Sequence, residues 1–301
     1  MSGVNLVAGE PDRGRIAALP CWSGPVEISI LSGGMTNRNY RVSCSGSDYV
    51  VRLGQDLPQH GVLRFNELAA ARAAHAAGLS PEVVYACDGL MVSRFIAGRT
   101  LQAADVREPR CFALVVALLQ RCHCGMAQLL HGPALMFWVF HVIRNYAASL
   151  QAIPGHILEQ DLPRLMQMAQ QLEGCVGPVD IVFAHNDLLS ANLIDDGQRL
   201  WLIDWDYAGF NSPLFDLANL SANNGFSPED DARLLALYFG TEPQPARWRA
   251  FEALRCASLL REVLWAAVSH HSSTLDFDYA GYGSGWLRQL DARWQRGLVV
   301  A

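Results

Sequence analysis

The first hundred residues carry short apolar runs separated by turn residues, which is a strand pattern. Val26 to Ile30, Tyr40 to Val42 and Tyr49 to Leu53 form the first three runs. Between the first two lies the turn-rich loop Ser32-Gly33-Gly34-Met35-Thr36-Asn37. A helix is expected from about Leu63 to Ala77, dense in alanine and closed by Gly78. Val83 to Ala86 and Leu90 to Phe95 then read as a hairpin through Asp88-Gly89. After Gly98 the period changes: Asp105 to Leu130, Phe137 to Gln151 and Leu162 to Leu172 are helical. A β island interrupts, with Ile181 to Phe183, Ala191 to Ile194 and Leu200 to Ile203, the last two joined by Asp196-Gly197. Pro213 suits a first helical position, Ser227-Pro228-Glu229-Asp230 a capped start, and Pro245 to Ser269 and Gly281 to Arg296 complete the chain as helices. The pattern predicts an α+β fold of two lobes: a small antiparallel sheet with one helix, then a large, mostly helical part, hinged near Arg94 to Thr100.

Composition sharpens this picture. At 301 residues and 51% hydrophobic, the chain has enough apolar matter for a sizeable core, which excludes disorder. All 23 positive charges are arginine. Without lysine there is no Schiff-base chemistry and no Walker-type phosphate loop. A net charge of −6 lacks the basic surface that nucleic acid demands and suits a cationic small substrate. No secretory leader is apparent and no apolar stretch reaches a membrane span, the greasiest running from Cys111 to Gln120, so a cytoplasmic location is expected. The eight scattered cysteines read as reduced thiols, and Cys122-His123-Cys124 as structural rather than metal-binding.

The chemistry concentrates in His185-Asn186-Asp187-Leu188-Leu189-Ser190-Ala191-Asn192 and in Leu202-Ile203-Asp204-Trp205-Asp206. A loop carboxylate, a carboxamide five residues on, and a second carboxylate after an apolar strand supply a group to accept a hydroxyl proton and two oxygen ligands for Mg²⁺. That set serves phosphoryl transfer.

These runs resemble the catalytic and metal-binding loops of the protein-kinase-like small-molecule phosphotransferases, the family of choline, ethanolamine and aminoglycoside kinases. The resemblance implies that Asp187 aligns or deprotonates an acceptor hydroxyl, that Asn192 and Asp204 hold magnesium, and that His185 and Asp216 support the loop. It implies a nucleotide-binding lobe over residues 1–97 and a catalytic and substrate-binding lobe over 98–301. In the first, Ser32, Gly33, Gly34, Thr36 and Asn37 would cover the ATP phosphates. Arg52 would stand where kinases usually carry a lysine, oriented by Glu67, and backbone groups from Ser93 to Phe95 would meet adenine. Arginine at this strand position is usual in choline-kinase-like enzymes. Arg261 to Ala267 and Phe277 to Tyr282 resemble the segments that build the cation box of choline kinases, so Trp265 and Tyr282 are the expected walls. Glu262 stands where the eukaryotic enzymes carry a second tryptophan and Asn223 where they carry an acid. Glu262 and Asp206 would then suit a primary amine, as in ethanolamine. The implied activity is ATP-dependent phosphorylation of an amino alcohol. Another acceptor on the same fold such as an aminoglycoside, a silent nucleotide-binding protein and a metallohydrolase are the alternatives.

Overall fold

The computed structural model describes residues 10–31, 37–273 and 275–297. The loop positions Ser32, Gly33, Gly34 and Thr36 lie outside the described residues.

A short helix, α1 (Glu10–Ala17), precedes strands β1 (Val26–Leu31), β2 (Arg38–Cys44) and β3 (Ser47–Leu53). Tyr40, Val42 and Cys44 alternate into the interior, as period-two side chains on a one-sided sheet must. Ser45 and Gly46, both with positive φ (49° and 77°), make the tight β2–β3 turn that matches strand twist. Helix α2 (Arg64–Ala76) and the hairpin β4 (Val83–Cys87) and β5 (Leu90–Arg94) follow, giving an antiparallel sheet in the order β1-β2-β3-β5-β4. Helix α1 carries no strong sequence pattern, yet its Ile16 is wholly buried in a small cluster with Tyr40, Val42, Val51, Leu53, Leu90 and Val92. A separate, much larger cluster fills the rest of the molecule. The larger cluster also takes in Ala70, Ala71, Ala73, Ala74 and Leu79, so α2 seats the small sheet on the helical lobe.

The crossing between them is tighter than the expected hinge. Arg99–Thr100 form β6, which pairs with β8 (Leu193–Asp195), itself paired with β9 (Leu200–Leu202). Gly98 makes this possible, because a Cβ there would stand 2.7 Å from the Asp195 carbonyl oxygen. The expected helix from Asp105 to Leu130 is broken into α3 (Ala103–Arg107) and α4 (Pro109–Gly125), since Pro109 forces Glu108 into extended geometry (φ −60°, ψ 135°). Then come α5 (Val139–Gln151), α6 (Leu162–Val176), β7 (Val182–Ala184), and β10 (Gly209–Asn211), which pairs with β7. The chain closes with α7 (Pro213–Asn224), α8 (Pro228–Phe239), α9 (Pro245–Ser272) and α10 (Tyr279–Gln295). Ser212 caps α7, and Ser227 with Asp230 forms the capping box of α8.

Among the described residues one helical stretch, Pro109–Gln128, is long and apolar enough to cross a membrane, against the sequence expectation. Its apolar face is instead spent on the core: Phe112, Val115, Val116, Leu118, Leu119 and Cys122 are buried there.

Candidate active site between sheet and helices

The loop carrying His185, Asn186 and Asp187 follows β7, and its shape is set from below. Asp216, fully buried on the first turn of α7, accepts the backbone N–H groups of His185 (2.9 Å) and Asn186 (2.7 Å) and is steadied by His123 Nε2 (2.9 Å). Burial alone would raise this carboxyl, but the His123 hydrogen bond and the His185 amide hold it below the usual range. His185 is also buried: Nε2 donates to the Ile203 carbonyl (2.9 Å), Nδ1 accepts the Asp187 N–H (3.3 Å), and its ring meets Trp205 at 4.7 Å. It ties the loop to the strand end and has no free nitrogen for catalysis.

Asn186 and Asp204 have left-handed backbones (φ 67° and 68°), and a non-glycine residue there costs about 1–2 kcal/mol. At Asn186 the cost is offset by its side chain, which donates to the Tyr207 carbonyl (3.0 Å) and accepts from Asn211 (2.8 Å). Such conformations concentrate where geometry serves function.

Asn192 closes a 3₁₀ turn, Ser190–Asn192, where the sequence pattern suggested strand. Its amide nitrogen donates to the Asp187 carbonyl (2.9 Å), which leaves the carboxamide oxygen for another partner. Asp204 presents a 37% accessible side chain at the cleft. Burial pushes its carboxyl up; Arg52 opposes the rise, while Asp206 and Asp187 add to it. Among the described residues no cluster of three or more His, Cys, Asp or Glu side chains forms a metal site. A carboxamide oxygen and a carboxylate with surplus negative charge nonetheless fit Mg²⁺, which keeps waters and phosphate oxygens as its other ligands.

Arg52 on β3 is the hub on the sheet side, pairing with Glu67 (2.7 Å), Asp204 (3.1 Å) and Asp206 (2.5 Å). Arg64, which the sequence reading did not single out, pairs with Glu67 (2.6 Å) and Asp206 (2.9 Å). Its place three residues before Glu67 on α2 was the available signal. Burial would raise Asp206, but Arg52, Arg64 and the Asn37 amide (3.1 Å) hold its pKa down. Asp206 thus lines the cleft as the partner of two arginines rather than as a carboxylate free for a substrate amine. Asn37 is the covering-loop position that the described residues retain.

Of these, Arg52, Asp187, Asn192, Asp204 and Asp206 line one cavity of about 790 Å³ between the sheet and the helices, whereas Asn37, Arg64 and Glu67 stand outside its lining. Arg52, Ser93 and Phe95 lie on one side, Asp187, Asn192 and Asp204 at the floor, and Glu262, Trp265 and Tyr282 at the far end. The Phe95 N–H is committed to the Asp48 carbonyl (3.0 Å), so this amide is not open to a base as the sequence suggested. Asn223 is not part of the lining: it sits on α7 with its amide on Asn219 (3.2 Å). The two aromatic rings are 5.9 Å apart, edge to face, and Trp265 Nε1 donates to the Tyr207 hydroxyl (3.0 Å). Tyr282 donates to Glu262 Oε2 (3.1 Å). Burial raises the Glu262 carboxyl and Arg261 acts against the rise. Arg261 is a further residue the sequence reading left without a role, while His123, expected to be structural, has Asp216 as its specific partner. An arginine inside a long apolar helix was itself a sign, since a buried guanidinium requires partners.

A two-lobed fold with this loop at the cleft floor defines a phosphotransferase with an alcohol acceptor. The family model for choline/ethanolamine kinase matches residues 28–230, and the chain belongs to that family. It is 29% identical over 271 residues to protein LicA of Haemophilus influenzae, covering 86% of this chain and 77% of the relative. It is 27% identical over 307 residues to a probable ethanolamine kinase of Arabidopsis thaliana, covering 91% and 80%. The crystal structure of a choline/ethanolamine kinase family protein from Mesorhizobium loti superposes with a TM-score of 0.77 at 27% identity, covering 97% of this chain and 99% of that one.

Proposed function

We propose that the chain transfers the γ-phosphoryl group of ATP to the hydroxyl of a small amino alcohol of the choline or ethanolamine kind. The observation that carries this reading is the convergence of Asp187, Asn192, Asp204 and Arg52 on one cavity that ends in Glu262, Trp265 and Tyr282. Residues 1–97 hold the nucleotide, with Arg52 and the 32–37 loop on its phosphates and Ser93 and Phe95 beside the base. Residues 98–301 carry the catalytic loop and the acceptor pocket.

Asp187 orients the alcohol and takes its proton as the oxygen bonds to the γ-phosphorus and the bridging oxygen leaves with ADP. Arg52 cannot lose its proton, and its fork suits phosphate oxygens. Asn192 and Asp204 would hold magnesium, which neutralises phosphate charge when bound. The π faces of Trp265 and Tyr282 attract the substrate cation by about 0.5–2 kcal/mol per good contact. The rest of the catalysis is positioning. Cys21, Cys44, Cys87, Cys111, Cys122, Cys124 and Cys256 are free thiols, which suits a reducing compartment, and we assign the reaction to the cytoplasm.

ADP release with choline, ethanolamine and an aminoglycoside as separate acceptors tests the reading. Turnover with an amino alcohol that stops on chelation of divalent ions is the expected result. Turnover with the aminoglycoside alone would replace the acceptor class, and nucleotide binding without turnover on any acceptor would replace the activity.

A further inference from the structure

Arg261 is 1% exposed, yet nothing in the proposed chemistry uses it. It sits on α9 with its guanidinium over the Tyr207 ring, carbon to ring centre 4.4 Å, and within 5.5 Å of the Phe137 ring centre. One nitrogen, Nη1, reaches three oxygens: Asp187 Oδ1 (3.3 Å), the Asn186 carbonyl (3.3 Å) and Glu262 Oε1 (3.1 Å). A single buried cation therefore bridges the catalytic carboxylate and the carboxylate of the acceptor end.

Two consequences follow from chemistry alone. Holding Asp187 by Oδ1 fixes the carboxylate's rotation and leaves Oδ2 to face a hydroxyl. Pairing with Glu262 cancels one of the two negative charges lining that end of the cleft. Glu262 has its other oxygen on the Tyr282 hydroxyl, so it is not a free carboxylate awaiting an ammonium group.

We propose that Arg261 is a positioning and charge-setting residue: it aligns Asp187 for the acceptor hydroxyl and holds the pocket at one net negative charge, which selects acceptors carrying one positive charge. The reading rests on the kinase activity proposed above and adds a determinant of acceptor choice. With Arg261 present, the pair Asp187 and Glu262 sums with it to −1. A neutral alcohol leaves that charge unmatched in a poorly solvated site, and a dication overfills it.

The test compares kcat/KM for choline with that for its neutral carbon isostere 3,3-dimethylbutan-1-ol and for a permanently dicationic analogue, choline with one methyl replaced by a 2-(trimethylammonio)ethyl group. The variants are Arg261→Met, Glu262→Gln, the double substitution and Arg261→Lys. Arg261→Met should lower kcat about 100-fold through misalignment while the ATP KM stays within about threefold. It should also move preference about tenfold toward the dication. Glu262→Gln should narrow the choline-to-isostere ratio by a similar factor. The double variant, again at −1, should recover the monocation preference without recovering kcat, which a merely structural arginine would not do. Arg261→Lys should keep the preference and lose part of kcat. A wild-type enzyme that turns over amino alcohols, with ratios unmoved in all four variants, would overturn this proposal alone. Absence of wild-type turnover would overturn the activity itself. Should Arg261→Met prove unfolded by circular dichroism, Glu262→Gln and Arg261→Lys decide by the same ratios.

Discussion

At the sheet end of the cleft, Arg52 and Arg64 meet Glu67, Asp204 and Asp206; at the helical end, Arg261 meets Asp187 and Glu262. Each group is one negative charge in excess, but the frames differ. The sheet end is an ionic lattice in which two arginines are shared among three carboxylates, and its excess falls on the accessible Asp204. The helical end is walled by the rings of Tyr207, Trp265 and Tyr282. Hard charge held in an ionic lattice suits a divalent ion and phosphate oxygens, whereas charge behind the π faces of Tyr207, Trp265 and Tyr282 suits an organic cation.

The largest effect is expected where the two groups meet. Asp187→Ala should lower turnover by about 10³-fold, within the range for loss of a general base, while nucleotide affinity measured by calorimetry stays near wild type. Loss of nucleotide binding as well would mean that the two ends are not separable. Arg52→Met strips three carboxylates of their shared cation and should cost about 3–5 kcal/mol in urea unfolding, as breaking a buried ion pair does. Its nucleotide KM should rise while acceptor KM is spared; a rise in acceptor KM alone would reverse the division of labour.

The next effect belongs to the helical end. His60 is buried behind Trp265, with ring centres 5.6 Å apart, and burial, aided by Arg261, pulls its pKa from 6.5 down to about 4. A group that must stay neutral in the fold gives stability that is full above pH 6.5 and lost as pH falls toward 4, up to about 3 kcal/mol. Urea melts at pH 7.5 and 5 should record the loss, and His60→Gln should flatten it; an unchanged slope would assign the acid sensitivity elsewhere. Smallest is Tyr282→Phe, which removes the hydroxyl on Glu262. Acceptor KM should rise about tenfold, the worth of a hydrogen bond to a charged group, with nucleotide KM unaltered. An altered nucleotide KM would tie the two ends more closely than their contacts do.

Much of this was legible because it is local. Asp187, Asn192 and Asp204 fall within eighteen residues, and the turn residues and apolar strand around them announce a loop at a sheet edge. Pro213 at a helix start, the cap at Ser227 and the alanine-rich α2 were equally open to reading. What escaped depends on partners far along the chain. Arg64 finds Asp206 across 142 positions, His123 finds Asp216 across 93, and Arg261 finds Asp187 across 74. No periodicity carries such pairings. Helix α1 and the strands β6 and β10 escaped for the related reason that tertiary contacts, not propensity, hold them. Asp206 was read as facing an amine because nothing local reveals that two arginines already hold it.

Helix α9 has a consequence of its own. Along about 21 Å of one rod, Arg255 grips Asp231, Ser258 receives the Asn219 amide, Arg261 meets the catalytic loop, Trp265 holds Tyr207 and Ser269 faces His60. Like teeth on a key, these contacts are cut at fixed spacing, and adding or deleting one residue would rotate every later tooth by about 100°. Acceptor choice in this lineage can therefore drift by exchanging side chains on the rod, but not by altering its length.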